Sequence, residues 1–393
     1  MIRINRNILN ASICIIVVII LFSGTLSACT GFTTSKGDEV FTGHNKDWWS
    51  TDTYIHVYPS DEETHARMFF EIPYPHIFNS EYKVLAGGIN DQGLFYESYV
   101  TPLLFASFEF FKPLLFKSPV EYILEHFFTV QEVVDYIESH NLFFLNYILC
   151  SGQIFVIDKT GDSAIIEGDE IIRKQGDYQV CTNFLHSRPD LGGYPCYRYE
   201  TATSILDNIT DPSVSSLVSI LNATHQKGYT QYSSICDLNN LTMYLYQFHN
   251  YEKGIKIDLN TEFQQEAHSY YFPSLFEPET NQAPDKPNTP MGPTSGVIDE
   301  QILFETNTTD IDNPSDEIYY KWNFGDDMQT NWVLNNERYM GKMTHSWSKS
   351  GSFSVTVKAK DIYGKESPWS DPLEVSISRF NDDFFTSFLQ LRK

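Results

Sequence analysis

A proline-rich stretch divides the sequence into two parts. Six prolines stand between Pro273 and Gly296, among Glu, Asn, Thr and Ser residues. Proline fixes φ and cannot donate a backbone hydrogen bond, so such a stretch is typical of a semi-rigid linker. The sequence therefore predicts a large domain over 29–275, a linker over 276–296, a small domain over 297–379 and a tail over 380–393.

Composition excludes two classes of protein. Hydrophobic residues make up 41% of the 393 residues and aromatic residues 15%, which is enough apolar surface for two cores and excludes a disordered chain. The formal charge of -24 repels phosphate backbones and anionic lipid surfaces, so we expect no nucleic acid partner.

Residues 1–28 have the pattern of an export signal that is removed. Arg3 and Arg6 precede an apolar run from Ile13 to Phe22, and the small residues Ser27 and Ala28 follow. The run is too short to span a bilayer comfortably, although a retained anchor is the alternative. We therefore expect a secreted or cell-surface protein with no stable membrane span after processing.

The position of the cut decides the chemistry of Cys29. Cleavage after Ala28, in Leu26-Ser27-Ala28-Cys29, would make Cys29 the first residue of the mature chain. The same four residues also resemble a bacterial lipoprotein box, in which the sulfur of Cys29 would carry a lipid. An acylated sulfur cannot be a nucleophile, so these two alternatives exclude each other.

An odd number of cysteines remains once the export signal is removed. An odd number in an exported protein indicates one free thiol and up to two disulfides, with Cys181 and Cys196 as the most closely spaced candidate pair. The five cysteines are Cys29, Cys150, Cys181, Cys196 and Cys236.

Local patterns predict an α/β first domain and a second domain that is a small β-sandwich. Ser118–Glu121 and Thr129–Glu132 have capping-box form and predict helices over 119–127 and 130–139. The predicted strands are Ile154–Ile157, Ser163–Ile166 and Tyr178–Thr182 in the first domain, and Gln301–Glu305, Ile318–Phe324, Gly351–Lys360 and Leu373–Ile377 in the second.

A cysteine at a new chain terminus can carry out acyl transfer without a histidine. The α-amine has a pKa of about 7.7 to 8.0 and the thiol about 8.5, so the amine can accept the thiol proton near neutral pH. One residue then supplies both nucleophile and base. The reaction that this serves is attack on an amide carbonyl, loss of the amine, and hydrolysis of the thioester.

Three other side chains suit such a site. Asp47 lies 18 residues after Cys29 and could fix the amine, while Asn183 ends a predicted strand and carries an amide N–H suited to an oxyanion hole. Arg198 could orient the nucleophile or hold a substrate carboxylate. The sequence has no zinc-ligand spacing, no nucleotide-binding glycine motif and no G-x-S-x-G, so we expect no metal and no cofactor.

Six motifs, in order, resemble the N-terminal nucleophile hydrolases that cleave linear amides. That group includes choloylglycine hydrolases, penicillin V acylases, acid-ceramidase-like amidases and penicillin acyltransferases, and the resemblance covers nearly all of 29–275. The motifs are Cys29–Phe32, Gly43–Trp48, Gly87–Leu94, Ile157–Gly161 with Glu167, Thr182-Asn183 and Arg198-Tyr199.

The resemblance implies an α+β fold, a four-layer αββα sandwich, and a set of roles. Cys29 would be nucleophile and base, Asp47 would hold its amine, Asn183 would line the oxyanion hole and Arg198 would lie near the thiol.

Two further residues follow from the resemblance as candidates for substrate binding. Tyr99 is the candidate second oxyanion donor. His44 stands where many relatives carry Arg, which puts the charge balance beside Asp47 in question. The aromatic stretch Phe105–Phe116 is either core packing or an apolar lid over an acyl chain.

The small domain resembles a polycystic-kidney-disease-type (PKD) Ig-like module. The resemblance rests on Tyr320–Asp326, His345–Trp347 and Gly351–Val357. Such modules act as spacers or adhesive units in surface proteins, so we expect contact with a cell surface there and no catalysis.

The sequence thus predicts an exported cysteine amidohydrolase that cleaves a small N-acyl compound through a thioester on Cys29. Two alternatives stay open: a surface-tethered lipoprotein that only binds, and an N-terminal cysteine dipeptidase. A homo-oligomer is compatible with each of them.

Overall fold

The structure is a computed structural model that describes residues 29–36, 39–74, 83–102, 104, 109–115, 119–141, 152–312, 317–334 and 340–379. The predicted export signal, Ser118, Cys150 and the C-terminal tail lie outside the described residues. Residues 105–108 and 116 of the aromatic stretch lie outside them as well.

The secondary structure of the described residues consists mainly of short strands. The helices are α1 (Val120–His126), α2 (Val130–Glu138), α3 (Tyr197–Asn208), α4 (Val214–Thr224) and α5 (Leu259–Glu262), with 3₁₀ turns at Pro189–Leu191 and Phe272–Phe276. The strands are β1 (Thr30–Thr34), β2 (Phe41–Asp47), β3 (Tyr54–Tyr58), β4 (Arg67–Pro73), β5 (Lys83–Asn90), β6 (Phe95–Val100), β7 (Gly152–Ile157), β8 (Ser163–Glu167), β9 (Glu170–Arg173), β10 (Tyr178–Thr182), β11 (Thr230–Asp237), β12 (Thr242–Gln247), β13 (Ile255–Asp258), β14 (His268–Tyr271), β15 (Ser295–Val297), β16 (Ile302–Asn307), β17 (Tyr319–Asn323), β18 (Val333–Leu334), β19 (Met340–His345), β20 (Gly351–Lys360) and β21 (Leu373–Ser378).

The predicted four-layer αββα sandwich is wrong. Strands make up 39% of the structure and helices 16%, in several sheets with few helices. The helices among the described residues have 4 to 12 residues each, too few and too short for two complete outer layers. The chain is instead mostly β-sheet, and no helix in its described part has the length and apolarity to cross a membrane.

The chain divides into two compact units, and the first contains Cys29. This unit consists of the described residues of Met1–Trp48, Gln92–His225 and Ser233–Leu241. Within it, β1 lies between β10 and β2, and another set of neighbouring strands runs in the order β6, β7, β8, β9. The strand pairs within both sets are antiparallel.

Helices and a close strand approach define the two faces of β1. Helices α3 and α4 pack against β10, β1 and β2, while α1 and α2 pack against β6, β7 and β8. On the opposite face of β1, a Cβ built on Gly31 would lie 1.9 Å from the hydroxyl oxygen of Tyr99 on β6. Glycine at position 31 therefore allows the two sets of strands to approach each other.

The second unit consists of the described residues of Trp49–Asp91, Gln226–Tyr232 and Thr242–Lys393. Its first part contains neighbouring strands in the order β14, β3, β4, β5 and the pair β12 and β13. Its C-terminal module has a five-stranded sheet in the order β15, β21, β20, β17, β18 and the separate pair β16 and β19. Buried Phe304, Trp322, Trp347 and Val357 belong to the core of this module.

Part of the proline-rich stretch is hydrogen-bonded to the C-terminal module. The backbone N–H of Asp285 donates to the carbonyl of Thr309 at 2.8 Å. Met291 and Glu305 exchange two backbone hydrogen bonds, at 2.7 and 2.9 Å. From Asp285 onward the stretch therefore runs beside β16 and belongs to the module.

Polar contacts join the module to the rest of the second unit. Lys360 Nζ lies 2.6 Å from Asp52 Oδ1, and Lys360 is 2% exposed. The hydroxyl of Tyr319 donates to Gln231 Oε1 at 3.0 Å.

Candidate active site

The face of β1 that meets β6 is unusually polar for the space between two sets of strands. The registers pair Gly31 with His44 on β2 and with Cys181 on β10, and side chains alternate along a strand. Apolar side chains normally fill such a layer, because burying polar groups costs free energy unless they are paired. Eight buried residues on or next to the facing strands are here called the inter-strand layer: Cys29, His44, Lys46, Glu97, Tyr99, Gln153, Glu167 and Cys181.

Cys29 is buried at the start of β1. Its side chain is 4% exposed, and its thiol donates to the backbone carbonyl of Asp47 at 3.7 Å. The pKa of the Cys29 thiol is raised to about 11, because burial, the largest cause, and the charges of Asp47 and Glu97 together outweigh the opposing charge of Lys46. The thiol therefore needs a base close by to ionise near neutral pH.

Arg198 links the main chain of Cys29 to the carboxylate of Asp47. Arg198 on α3 donates from Nη1 to the carbonyl of Cys29 and, at 2.9 Å, to Thr30 Oγ1. The same nitrogen lies 4.0 Å from Asp47 Oδ2, and Asp47 is fully buried. Of the two roles considered for Arg198, this geometry fits orientation of the Cys29 backbone better than binding of a substrate carboxylate.

Asn183 lies just beyond the end of β10. Its side-chain Nδ2 donates to the carbonyl of Val100 at 2.8 Å, which ties the end of β6 to the end of β10. Its Oδ1 is buried and makes no hydrogen bond within the described part of the chain. Continuing the register from Thr30 and Thr182 places Asn183 opposite Cys29.

His44 and Tyr99 contact each other in the inter-strand layer. Their rings are 5.6 Å apart in an edge-to-face arrangement. His44 Nδ1 lies 3.6 Å from Glu97 Oε2. Burial, and then the charge of Lys46, hold the pKa of His44 well below its usual value, so its imidazole is neutral at physiological pH.

Lys46 and Glu97 are site residues that the sequence reasoning missed. Lys46 Nζ lies 2.7 Å from Glu97 Oε1, and the two side chains are 3% and 1% exposed. Burial disfavours the charge of Lys46, but the charge and hydrogen bond of Glu97, together with the charges of Cys29 and Asp47, outweigh it and raise the pKa of Lys46. The available signal for Lys46 was strand alternation, because Lys46 stands two residues after His44 and projects from the same face of β2.

A buried carboxylate organises the loop that follows Asn183. Glu167 accepts hydrogen bonds from the backbone N–H of His186 at 2.7 Å and of Ser187 at 2.9 Å. Gln153 also donates its side-chain amide to Glu167. These bonds fix the chain beside the candidate oxyanion residue.

Cys181 and Cys196, the most closely spaced candidates for a disulfide, are free thiols in the structure, as are Cys29 and Cys236. Strand alternation explains why these two do not pair. Cys181 points into the inter-strand layer, where its sulfur lies 3.3 Å from Gln153 Oε1. Cys196 accepts a hydrogen bond from the hydroxyl of Thr182 at 3.5 Å, and Thr182 points to the other face of β10.

Metal ligands are not clustered in the described part of the chain. No group of three His, Cys, Asp or Glu side chains there is arranged to hold a metal ion.

Comparison with known proteins identifies the C-terminal module. The family model for the PKD domain matches residues 289–371. Residues 289–371 are a PKD domain. The PKD domain of an M14-like peptidase from Thermoplasmatales archaeon SCGC AB-540-F20 is 35% identical, with 25% of this chain and 98% of that chain covered and a TM-score of 0.22.

A curated relative supports the same assignment. Collagenase ColA from Bacillus cereus is 34% identical over 76 residues, which cover 19% of this chain. The chain spans only 7% of that collagenase, so the likeness concerns a module and not the collagenase as a whole. PKD domains occur in extracellular proteins, and none of these similarities bears on the chemistry at Cys29.

Proposed function

We propose that this chain is an exported cysteine amide hydrolase, activated when removal of residues 1–28 frees the α-amine of Cys29. The observation that carries the proposal is that Arg198 donates to the main-chain carbonyl of Cys29 and also lies 4.0 Å from the Asp47 carboxylate, while the thiol of Cys29 enters a buried polar layer. The proposal agrees with the motif resemblance to amidases of the choloylglycine hydrolase and penicillin V acylase group. It requires neither a metal nor a cofactor.

The reaction is balanced by the groups of Cys29 itself. The free α-amine accepts the thiol proton, and the thiolate attacks the amide carbonyl to form a C–S bond and an oxyanion. Collapse of the oxyanion breaks the C–N bond, and the α-ammonium returns its proton to the leaving nitrogen. Water then attacks the thioester, which releases the carboxylic acid and restores the thiol.

The surrounding residues have distinct roles in this scheme. Asp47 is a buried carboxylate suited to hold the α-ammonium, and Arg198 fixes the carbonyl of Cys29. An amide nitrogen carries two hydrogens, and Asn183 uses one of them on Val100, so the other is available to the oxyanion. Tyr99, above Gly31, is the candidate for the second donor.

The charges around Cys29 favour a neutral substrate. Arg198 is engaged with Cys29, Thr30 and Asp47, and Lys46 is engaged with Glu97. A substrate with a carboxylate at the reacting centre would have to displace one of these pairs. We therefore expect small uncharged N-acyl amides to be better substrates than dipeptides, whose termini are both charged.

Substitution of Cys29 tests the proposal. Cys29→Ala should lower kcat/KM for N-acyl amides by about 10³-fold or more, because it removes the nucleophilic sulfur and no thioester can form. Cys236→Ala, which removes another buried thiol, should keep wild-type activity. Full amidase activity in folded Cys29→Ala would refute the proposal, and so would a mature chain whose Cys29 carries diacylglycerol by intact mass.

A further inference from the structure

We propose that Lys46 is a positioning residue for the proposed reaction: its ammonium, held by Glu97, stabilises the thiolate form of Cys29. The inference rests on the proposed function for its catalytic meaning. The placement of Lys46 beside Cys29 rests on the register of β1 and β2 and on the contact of Lys46 with Glu97.

Strand register places Lys46 beside Cys29. Thr30 pairs with Asn45 in the antiparallel β1 and β2 ladder, and extending this register by one position places Cys29 opposite Lys46. Directly opposed residues on an antiparallel pair project from the same face, with Cβ atoms about 4.5 to 5.5 Å apart. Lys46 is therefore the cross-strand neighbour of the thiol, inside the inter-strand layer.

Glu97 holds the lysine in this position. A lysine side chain is flexible, and burial without a partner drives it to the neutral form. The 2.7 Å contact from Lys46 Nζ to Glu97 Oε1 removes both problems, since the carboxylate is 1% exposed and anchored on β6. The pair keeps a positive charge in a layer that excludes water.

Other groups in the layer do not supply this charge. His44, which also faces this layer, is neutral because burial and Lys46 depress its pKa. Arg198 contacts the main-chain carbonyl of Cys29 and the side-chain hydroxyl of Thr30 from the helical side of the sheet. The charged and titratable groups that act around the thiol are His44, Lys46 and Asp47 from β2, Glu97 and Tyr99 from β6, Cys181 from β10 and Arg198 from α3.

The ammonium acts against the cost of a buried thiolate. Charge interactions strengthen where water is excluded, so a neighbouring cation stabilises an anion more there than at a surface. Among the charges that act on the Cys29 thiol, Lys46 has the largest influence, ahead of Asp47 and Glu97, which each oppose it. The α-amine then has to take a proton from a thiol that ionises more readily.

Thiol alkylation measures this effect without any amide substrate. The processed protein is treated with iodoacetamide across a pH series, and the labelled fraction of the Cys29 peptide is followed by mass. Lys46→Met should move the midpoint of this profile upward by about one pH unit or more, which is a tenfold loss of thiolate. Lys46→Arg should stay near wild type, and so should Lys159→Met, which removes an exposed charge.

A second variant keeps the test decisive if Lys46→Met fails to fold. Lys46→Gln/Glu97→Gln removes both charges and leaves two side chains that can hydrogen-bond to each other. Its midpoint should lie above that of wild type and below that of Lys46→Met. A folded variant of either kind whose profile coincides with that of wild type overturns the role of Lys46.

The same experiment separates this inference from the proposed function. If the wild-type protein cleaves no amide but the alkylation midpoint still shifts in Lys46→Met, the charge assignment stands and the hydrolase proposal fails. If the wild type cleaves amides while folded Lys46→Met keeps both its alkylation profile and its kcat/KM, the hydrolase proposal stands and the role of Lys46 is refuted.

Discussion

At the scale of single residues, Gly31 shows how closely the inter-strand layer is packed. A methyl group at this position would lie 1.9 Å from the Tyr99 oxygen and 3.1 Å from its ring carbon Cζ. Contacts this short cannot persist, so a side chain at position 31 must displace Tyr99 or separate β1 from β6. The position of the Tyr99 phenol therefore depends on the main chain next to Cys29, because the two are in close contact.

Gly31→Ala is expected to destabilise the fold and to disturb the site. Overpacking a buried position of this kind typically costs about 1 to 3 kcal/mol of unfolding free energy. Urea denaturation measures the loss. In Gly31→Ala/Tyr99→Ala the obstructing ring is removed. The unfolding free energy of this double variant should therefore be no lower than that of Tyr99→Ala alone. Equal stability of Gly31→Ala and wild type would contradict the described packing.

Some site residues could be predicted from the sequence, and others could not. Cys29 could be predicted from its place after a processing signal, and Asp47 and Arg198 from the order of the motifs. Lys46 and Glu97 are 51 positions apart, and no local pattern shows that β2 and β6 bring them together. Such a pair becomes visible only when the strands are placed in space.

At the scale of secondary-structure elements, local signals proved reliable. The capping box predicted at Thr129 and Glu132 is confirmed, and α2 begins at Val130 as expected. Helix α2 spans Val130–Glu138, and the three strands predicted in the first domain are present as β7, β8 and β10. The four-layer arrangement was wrong because it depended on how many helices cover the sheets, which capping and alternation do not reveal.

Removal of the Thr129 cap should destabilise the first unit. Thr129→Ala should lower the unfolding free energy by about 1 kcal/mol, because the backbone N–H of Glu132 loses its acceptor at the start of α2. Urea denaturation gives the value, with exposed Thr210→Ala as a comparison outside the helices. No change relative to wild type would show that α2 is fixed by packing alone.

At the scale of the whole molecule, the PKD domain is joined to the rest of the second unit by a buried charge. Asp52 contacts Lys360 on β20 and also accepts a hydrogen bond from Tyr271 at 3.1 Å. Burial favours the neutral form of Asp52, but Lys360 and the hydrogen bonds outweigh it and lower the pKa of this carboxyl. Motif order could reveal the module, whereas this contact joins residues 308 positions apart.

The depressed pKa of Asp52 predicts a defined pH dependence of stability. A carboxyl whose pKa is lowered on folding contributes stability above its unfolded pKa of about 3.9 and loses it as pH falls through the folded value. Asp52→Asn should therefore be less stable than wild type at pH 7, and the difference should shrink below about pH 4. Urea midpoints across pH measure it, with exposed Asp211→Asn as the control. A difference that stays constant with pH would contradict the ion pair.

The proposed acyl transfer to Cys29 is tested most directly by mass measurement on the exported protein, after brief exposure to an N-acyl amide and acid quenching. The mature chain should begin at Cys29, and the acyl group should be recovered on that residue as a thioester. The Cys29→Ala variant should carry no acyl group. A mature chain that begins elsewhere, or an acyl-enzyme whose acyl group sits on another residue, would contradict the proposal.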